Sequence, residues 1–254
     1  MSWFNFLPFY ENMEKATTVF GMNGRTWYAH EHIGVQHIFG AFFVFLLLTV
    51  MAVVAYRKVA NASEAIVPDA QLTTRTFVEI MVGTIYAMMS DIMGPKAAKF
   101  FLPLIGTCAF FILVSNAMGL VPGFLPPTDK LNTTIVLGVI IFLVTHIYGV
   151  KEHGIAYFKH FFGPIIKWYA LPLMLLMLVI ELISHFVRPL SLAMRLMANI
   201  VADHAVVAVF FAMVPFLVPV PMMLLGVMVV VVQTLVFCLL STVYISMAIA
   251  HEEH

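Results

Sequence analysis

The sequence predicts an all-α integral membrane protein with about five membrane helices and one amphipathic helix on the cytoplasmic surface. Hydrophobic residues make up 62% of the 254 residues and charged residues only 10%, whereas a soluble domain averages about 25% charged residues. Long uncharged runs recur along the chain, and a helix needs roughly 20 apolar residues to cross the hydrocarbon core. The 13 basic and 13 acidic residues cancel, which argues against a nucleic-acid-binding surface.

The first part of the chain predicts three membrane spans and the surface helix. Residues 1–36 are expected to form an external segment, before a first span at 38–56 that contains no charged residue. Residues 73–95 are apolar with scattered polar groups, which favours an amphipathic helix on the cytoplasmic face. A short sixth span is the competing interpretation of that segment. The second and third spans are predicted at 100–122 and 131–150.

The last third predicts a long helical hairpin that completes a single membrane domain. No charged residue occurs between 205 and 250, and at about 1.5 Å per residue that stretch is twice as long as a bilayer is thick. Proline is poorly tolerated inside a helix, and three prolines interrupt the stretch: Pro215, Pro219 and Pro221. We therefore predict two helices, at about 168–214 and 221–250, joined by a reversal and tilted in the bilayer.

The distribution of basic residues predicts the orientation. Under alternating topology the two sides of the membrane receive unequal numbers of Lys and Arg. The richer side carries Arg57, Lys58, Arg75, Lys96, Lys99, Lys151, Lys159 and Lys167, and the other carries Lys15, Arg25 and Lys130. Because cytoplasmic loops carry the excess of basic residues, we expect the N-terminus outside and the C-terminus in the cytoplasm.

A stripe of polar residues runs along the first helix of the hairpin. On an ideal helix each residue turns about 100°, so eight polar residues share an arc of about 120°. They are Glu181, Ser184, His185, Arg188, Ser191, Arg195, Asn199 and Asp203. Polar residues in membrane helices often serve only as hydrogen-bond partners of a neighbouring helix, and this simpler interpretation holds for Ser184, Ser191 and Asn199 taken singly.

Arg195 is the most informative member of the stripe. A guanidinium keeps its charge at physiological pH, and placing it at membrane depth costs at least about 2.5–3.5 kcal/mol. Such a residue is a functional-site hypothesis by default. The nearest carboxylates on its own helix, Glu181 and Asp203, are about two turns away or more. We therefore infer that an acid from another chain pairs with Arg195.

The residues around Arg195 also carry a family resemblance. The run 188–199, Arg-Pro-Leu-Ser-Leu-Ala-Met-Arg-Leu-Met-Ala-Asn, resembles the signature of subunit a of F-type ATP synthases. The run 233–248 is similar to the last helix of that family, and Asn116 with 119–127 and 129–133 forms a third match. The resemblance covers roughly residues 75–254, most specifically in the last third.

The resemblance implies a proton-translocating stator subunit in a bacterial inner membrane, with no catalytic site or cofactor of its own. Its implied partners are the c-ring, whose subunits each carry a carboxyl group, the b subunits of the peripheral stalk, the lipid bilayer and protons. Two offset half-channels would reach the ring from opposite sides, and Arg195 matches the essential arginine between them. Residues 168–250 would then face the ring.

Other residues take narrower roles under the resemblance. Asn199 and Gln233 match polar positions near the arginine, and Asn116 and Arg188 belong to the matched motifs. Glu181, His185, Asp203 and His204 are candidates for a proton relay or for holding water, since titratable chains in membranes often mark proton paths. Relatives usually pair the position of His204 with an ionisable group on the last helix. This sequence has Gly226 there, so Asp203 is the candidate substitute.

Three alternatives follow from other features. A secondary transporter could use the polar hairpin for substrate, but transporters usually have two related halves, which this sequence lacks. A haem-binding redox subunit would need facing histidines, for which His146 and His185 form the candidate pair. A metal cluster at His30, His32 and His37 with Glu31 rests on spacing alone, and we expect no metal.

Overall fold

The computed structural model describes residues 36–59, 73–121, 124–154, 157, 171–213 and 219–249. Within these ranges the regular structure is entirely helical. The helices are α1 (Gln36–Val59), α2 (Thr74–Gly119), α3 (Leu131–His153), α4 (Leu171–Met213) and α5 (Pro219–Ile249), with a 3₁₀ turn at Pro127–Asp129 before α3. All five are long and apolar enough to cross a membrane, which confirms the predicted fold class.

The segments predicted at 73–95 and 100–122 correspond to the two arms of α2, which meet at a kink. The kink lies at Gly94, whose φ of 80° and ψ of 160° are essentially restricted to glycine. Pro95 follows directly, and proline removes a helical N–H donor. Gly94 and Pro95 together therefore bend the chain at this point. The helix ends at Gly119, three residues earlier than predicted, and the placement of its first arm at the membrane surface stays a prediction.

The two arms of α2 fold toward each other. Val78 and Val82 of the first arm and Leu102 of the second line one cleft together with Leu48 of α1. A straight helix could not bring residues so far apart in sequence to one cleft. The hydrophobic core then continues through Ile85, Met89, Phe101 and Ile105 of α2 to Cys238 and Ile245 of α5.

Helices α3 and α4 cross at close range. A Cβ atom built on Gly138 would lie 2.7 Å from the carbonyl oxygen of Pro189, so only glycine fits at this crossing. A second core cluster joins α2, α3, α4 and α5 here, and it contains Cys108, Ile112, Leu137, Ile141, Leu192, Leu196 and Phe237. The crossing fixes the position of the polar stripe of α4 relative to α3.

The predicted hairpin is confirmed by α4 and α5. Two contacts set its antiparallel register: the Asp203 carboxylate lies against Gly226, and the Arg188 guanidinium lies 5.6 Å from the centre of the Tyr244 ring. Interpolation between these contacts places Arg195 level with about residue 235 of α5. The third predicted span, 131–150, agrees with α3, and the first, 38–56, agrees with α1.

Candidate functional site

Arg195 lies at the edge between the buried and the exposed face of α4. The buried side chains Leu192, Ala193, Leu196 and Ile200 fall between about 60° and 160° from Arg195 on the helical wheel. The opposite flank is exposed, as Met194 shows at 48%. Arg195 itself is exposed in the isolated chain. The polar stripe therefore lies along the boundary between the packed and the exposed side of α4, and Arg195 is on the exposed side.

No carboxylate of the described part of the chain pairs with Arg195. The ion pairs there join Arg75 to Glu79, Lys130 to Asp129 and His185 to Glu181. Arg195 lies near the middle of the span Met174–Phe210. Arg195 is thus an exposed residue in the middle of a candidate membrane span, without an acid from the described residues.

Asn199 and Gln233 lie close in height to Arg195. Asn199 follows one turn later on α4, and Gln233 falls near the level of Arg195 in the hairpin register. Both side chains are half-buried. Each of the two side chains can therefore contribute to the exposed surface around Arg195 while part of it packs against neighbouring helices.

An inner cluster of ionisable groups lies toward the start of α4. The Nδ1 atom of His185 donates to the backbone oxygen of Glu181 at 2.8 Å and lies 3.4 Å from the carboxylate of the same residue. The His185 ring is 5.1 Å from the ring of His146 on α3, centre to centre, and nearly perpendicular to it. His146 also binds a backbone oxygen through Nδ1, that of Phe142 at 2.8 Å.

A small cavity of about 20 Å³ lies within the inner cluster, between α3, α4 and α5. Its polar lining consists of His146, His185, Arg188, Tyr244 and Thr145. A cavity needs roughly 10–15 Å³ to hold one water molecule, so this one has room for a single water. The packing of Arg188 over the Tyr244 ring keeps a permanent cation beside the two imidazoles.

An outer cluster forms at the opposite end of the hairpin. A Cβ atom built on Gly226 would lie 3.1 Å from Oδ2 of Asp203, and one built on Gly119 would lie 2.9 Å from Nε2 of His204. The carboxylate thus abuts α5 and the imidazole abuts α2. His204 points away from Arg195, in agreement with its position near 180° on the wheel.

The 3₁₀ turn completes the outer cluster. Burial raises the pKa of Asp129 above its usual value, while Lys130, His204 and His37 oppose the shift through their charges. The hydroxyl of Thr128 donates to Oδ1 of Asn116 at 2.7 Å, and both side chains are buried. Asn116 therefore anchors the turn that carries Asp129 toward His204.

The structure separates the predicted site residues into three groups. The inner cluster contains Glu181, His185 and Arg188, the outer cluster contains Asp203, His204 and Asn116, and Arg195 lies between them with Asn199 and Gln233. Residues 185 and 204 are each about 15 Å from Arg195 along α4. Three further participants were not among the predicted site residues: His146, Tyr244 and Asp129. The sequence signal for His146 was its position as the sole histidine of the third predicted span.

The haem and metal alternatives find no support in the described residues. The rings of His146 and His185 contact each other directly, so a porphyrin could not stand between them, and the haem hypothesis for this pair is wrong. No group of three potential metal ligands occurs in the described ranges. His30, Glu31 and His32 of the N-terminal metal alternative lie outside the described residues.

Fold and site together define a multi-span helical membrane protein with ionisable groups at membrane depth. Comparison with known proteins gives matches to one family. The profile of the ATP synthase A chain family matches residues 38–246. ATP synthase subunit a of Sorangium cellulosum is 43% identical over 234 residues, which cover 91% of this chain and 90% of the relative. The subunit a 2 of Syntrophotalea carbinolica is 46% identical over 86% of this chain and 88% of its own length.

A third relative, ATP synthase subunit a of Geobacter sulfurreducens, is 51% identical over 67% of this chain and 72% of its own length. The chain therefore belongs to the ATP synthase A chain family. It is a membrane-sector subunit of that complex, and the processes it serves are ATP synthesis and proton transport. Family membership decides against the secondary-transporter alternative.

Proposed function

We propose that this chain is the proton-translocating stator subunit of the membrane sector and has no catalytic site of its own. In this proposal it forms two half-channels that lead to carboxyl groups on a rotating c-ring, with Arg195 between them. Proton flow through the half-channels turns the ring and thereby drives ATP synthesis in the attached head.

The observation that carries the proposal is the exposure of Arg195 in the middle of a membrane span. A guanidinium in contact with lipid at this depth would cost at least about 2.5–3.5 kcal/mol. An exposed cation there is expected to face a partner rather than lipid. A carboxylate on a neighbouring subunit supplies the opposite charge that the described part of this chain does not place beside it.

The charge of Arg195 has two effects on proton transfer to and from the ring. A nearby cation favours the ionised carboxylate, so a ring subunit that arrives at Arg195 releases its proton. The fixed positive charge also repels a proton that would pass straight from one half-channel to the other. One elementary charge moved through 100 mV gains about 2.3 kcal/mol, and several such transfers in each turn can drive mechanical work.

The inner and outer clusters support two separate half-channels. They lie on opposite sides of Arg195 along α4, each about 15 Å away. The outer cluster offers Asp203 and His204, and the charge of His204 acts on Asp129 of the 3₁₀ turn. The inner cluster offers Glu181 and His185. Each route would end near Arg195, where Asn199 and Gln233 organise the interface with the ring.

Partners and orientation follow from the same proposal. The exposed face of α4 would contact the c-ring, peripheral-stalk b subunits would hold the chain in place, and the remaining apolar surface would face lipid. We propose a location in the bacterial inner membrane with the N-terminus outside and the C-terminus in the cytoplasm. The asymmetry of basic residues supports this orientation. The hydroxyl of Ser246 donates to the Ile92 backbone oxygen at 3.3 Å, so the C-terminal end of α5 lies at the kink of α2 and on the same side of the membrane as that kink.

Substitution of Arg195 tests the proposal. Arg195→Ala should abolish ATP-driven acidification of inverted membrane vesicles while the complex still assembles, because the essential charge is lost from an exposed position that carries little packing. Arg57→Ala, at the exposed end of α1, serves as the matched control and should pump normally. Near-normal acidification by Arg195→Ala would refute the assignment. Substitutions of Asn199 or Gln233 should weaken coupling less than loss of the arginine.

A further inference from the structure

The inner cluster contains a histidine that the family motifs around Arg195 do not include. His146 comes from α3, outside the hairpin, yet its ring contacts that of His185 on α4 at 5.1 Å. Both rings line the cavity with room for one water molecule. The charged and titratable groups that surround this pair are Glu181 and Arg188 of α4, Tyr244 of α5 and Tyr157 beyond α3.

Backbone hydrogen bonds determine which nitrogen of His146 can exchange a proton. A carbonyl oxygen only accepts, so the bond to the Phe142 oxygen at 2.8 Å requires the proton of the neutral ring on Nδ1. Nε2 then carries the lone pair. Among the described residues no hydrogen bond to Nε2 of His146 occurs. The ring can therefore gain a proton at Nε2 while its orientation is kept by Nδ1.

We infer that His146 is a further proton-transfer residue of this subunit, which exchanges protons through Nε2 with the water-sized cavity it shares with His185. This inference rests on the proposed half-channels and adds a residue from α3 to the inner one. In the first step a hydronium ion in the path gives its proton to Nε2, so that an O–H bond breaks, an N–H bond forms and water remains. In the second step the imidazolium returns that proton from Nε2, through water, to the Glu181 carboxylate beside His185.

The geometry excludes passage of the proton through the ring from one nitrogen to the other. Release from Nδ1 would require the Phe142 carbonyl to accept it, and an amide oxygen is a poor proton acceptor. Uptake and release must therefore both use Nε2, with water moving the proton between positions. Arg188 keeps a positive charge at the same cavity, and like charges repel. A proton on the pair is consequently passed on rather than held.

The test uses the whole complex in proteoliposomes and two substitutions. His146→Asn preserves a donor at the position of Nδ1 and so keeps the bond to Phe142, but it removes the titratable nitrogen. We expect it to slow ATP-driven proton pumping about tenfold. This is less than the roughly 10²–10⁴-fold loss that is typical when a positioned acid–base group is removed, because water can partly replace the ring. The rate should also lose much of its dependence on the pH of the solution on the side of the membrane that the inner half-channel reaches.

His146→Ala supplies the second readout, because it leaves space for a small base. Added imidazole should restore part of the rate in this variant and none in Arg195→Ala. His153→Asn, on the same helix but away from the pair, is the matched control and should keep the wild-type rate. A wild-type rate and pH profile in His146→Asn would overturn the inference, as would a uniform loss without imidazole rescue. If Arg195→Ala still pumps, the proposed function itself fails, whatever the result at His146.

Discussion

The carboxylate of Asp203 occupies the space in which a side chain at Gly226 would stand. A Cβ atom on Gly226 would lie 3.1 Å from Oδ2 of Asp203 and 2.8 Å from Cδ2 of Leu120. The acid at this level of the hairpin is thus carried by α4, and α5 provides the room for it. That Asp203 substitutes for an ionisable group at position 226 stays a prediction.

Exchange of these two residues should be tolerated better than either change alone. Gly226→Asp adds a second carboxylate beside that of Asp203, and like charges repel, so we expect little assembled complex. The contact with Leu120 involves the end of a flexible side chain, which can move aside in both variants. Asp203→Gly combined with Gly226→Asp returns one carboxylate to the same place and should recover pumping. Vesicle acidification, normalised to the amount of assembled subunit, measures the recovery. If the double variant is no better than Gly226→Asp, the two positions do not share one site.

The close crossing of α3 and α4 predicts a sharp difference between two glycines. Gly138→Ala would place Cβ 2.7 Å from the backbone oxygen of Pro189, and backbone atoms cannot move aside cheaply. We expect a loss of about 1–3 kcal/mol, as is usual for overpacking. Gly106→Ala meets no atom within 4 Å and should be neutral or gain up to about 1 kcal/mol from helix propensity. Thermal denaturation of the purified complex in detergent compares them, and equal midpoints would contradict the crossing.

The hydrogen bond between Thr128 and Asn116 should couple the outer turn to α2. The bond is 2.7 Å long and buried, and residues within one hydrogen-bonded pair typically show interaction energies of about 0.5–3 kcal/mol. A cycle with Thr128→Val, Asn116→Ala and the double variant should therefore be non-additive in the thermal midpoint of the complex. Additive effects would mean that the two side chains act independently.

Much of the fold could be predicted from the sequence because its signals are local. Uncharged runs located α1, α3 and α5, and the prolines near 215–221 located the reversal of the hairpin. The position of Arg195 at the boundary between the buried and the exposed side of α4 was only partly predictable. The helical wheel grouped the polar residues, but it could not show which side of α4 the other helices cover. The contact of His146 with His185 required the crossing at Gly138, which depends on how two separate helices pack and not on a local sequence signal. For the same reason the approach of Asp129 to His204 could not be derived from spacing.

The raised pKa of Asp129 predicts a pH-dependent gain in stability when its charge is removed. Burial is the main cause of the shift from 3.8, and the charges of Lys130, His204 and His37 oppose it. Because the folded state favours the protonated acid, ionisation weakens the folded state as the pH rises from 3.8 through the raised pKa. Asp129→Asn should therefore raise the thermal midpoint of the detergent-solubilised complex at neutral pH. This advantage should shrink as the pH is lowered toward 3.8.

Lys130→Gln gives the opposite control for Asp129. The ammonium of Lys130 lies 3.6 Å from Oδ2 of Asp129, and its loss should raise the pKa of the acid further. The penalty of ionisation then grows, so the variant should denature at a lower temperature than the wild type at neutral pH. In the background of Asp129→Asn the same lysine substitution should have little effect, because no carboxylate remains to be compensated. A pH-independent advantage of Asp129→Asn, or an equal cost of Lys130→Gln in both backgrounds, would show that desolvation of the carboxylate does not govern this site.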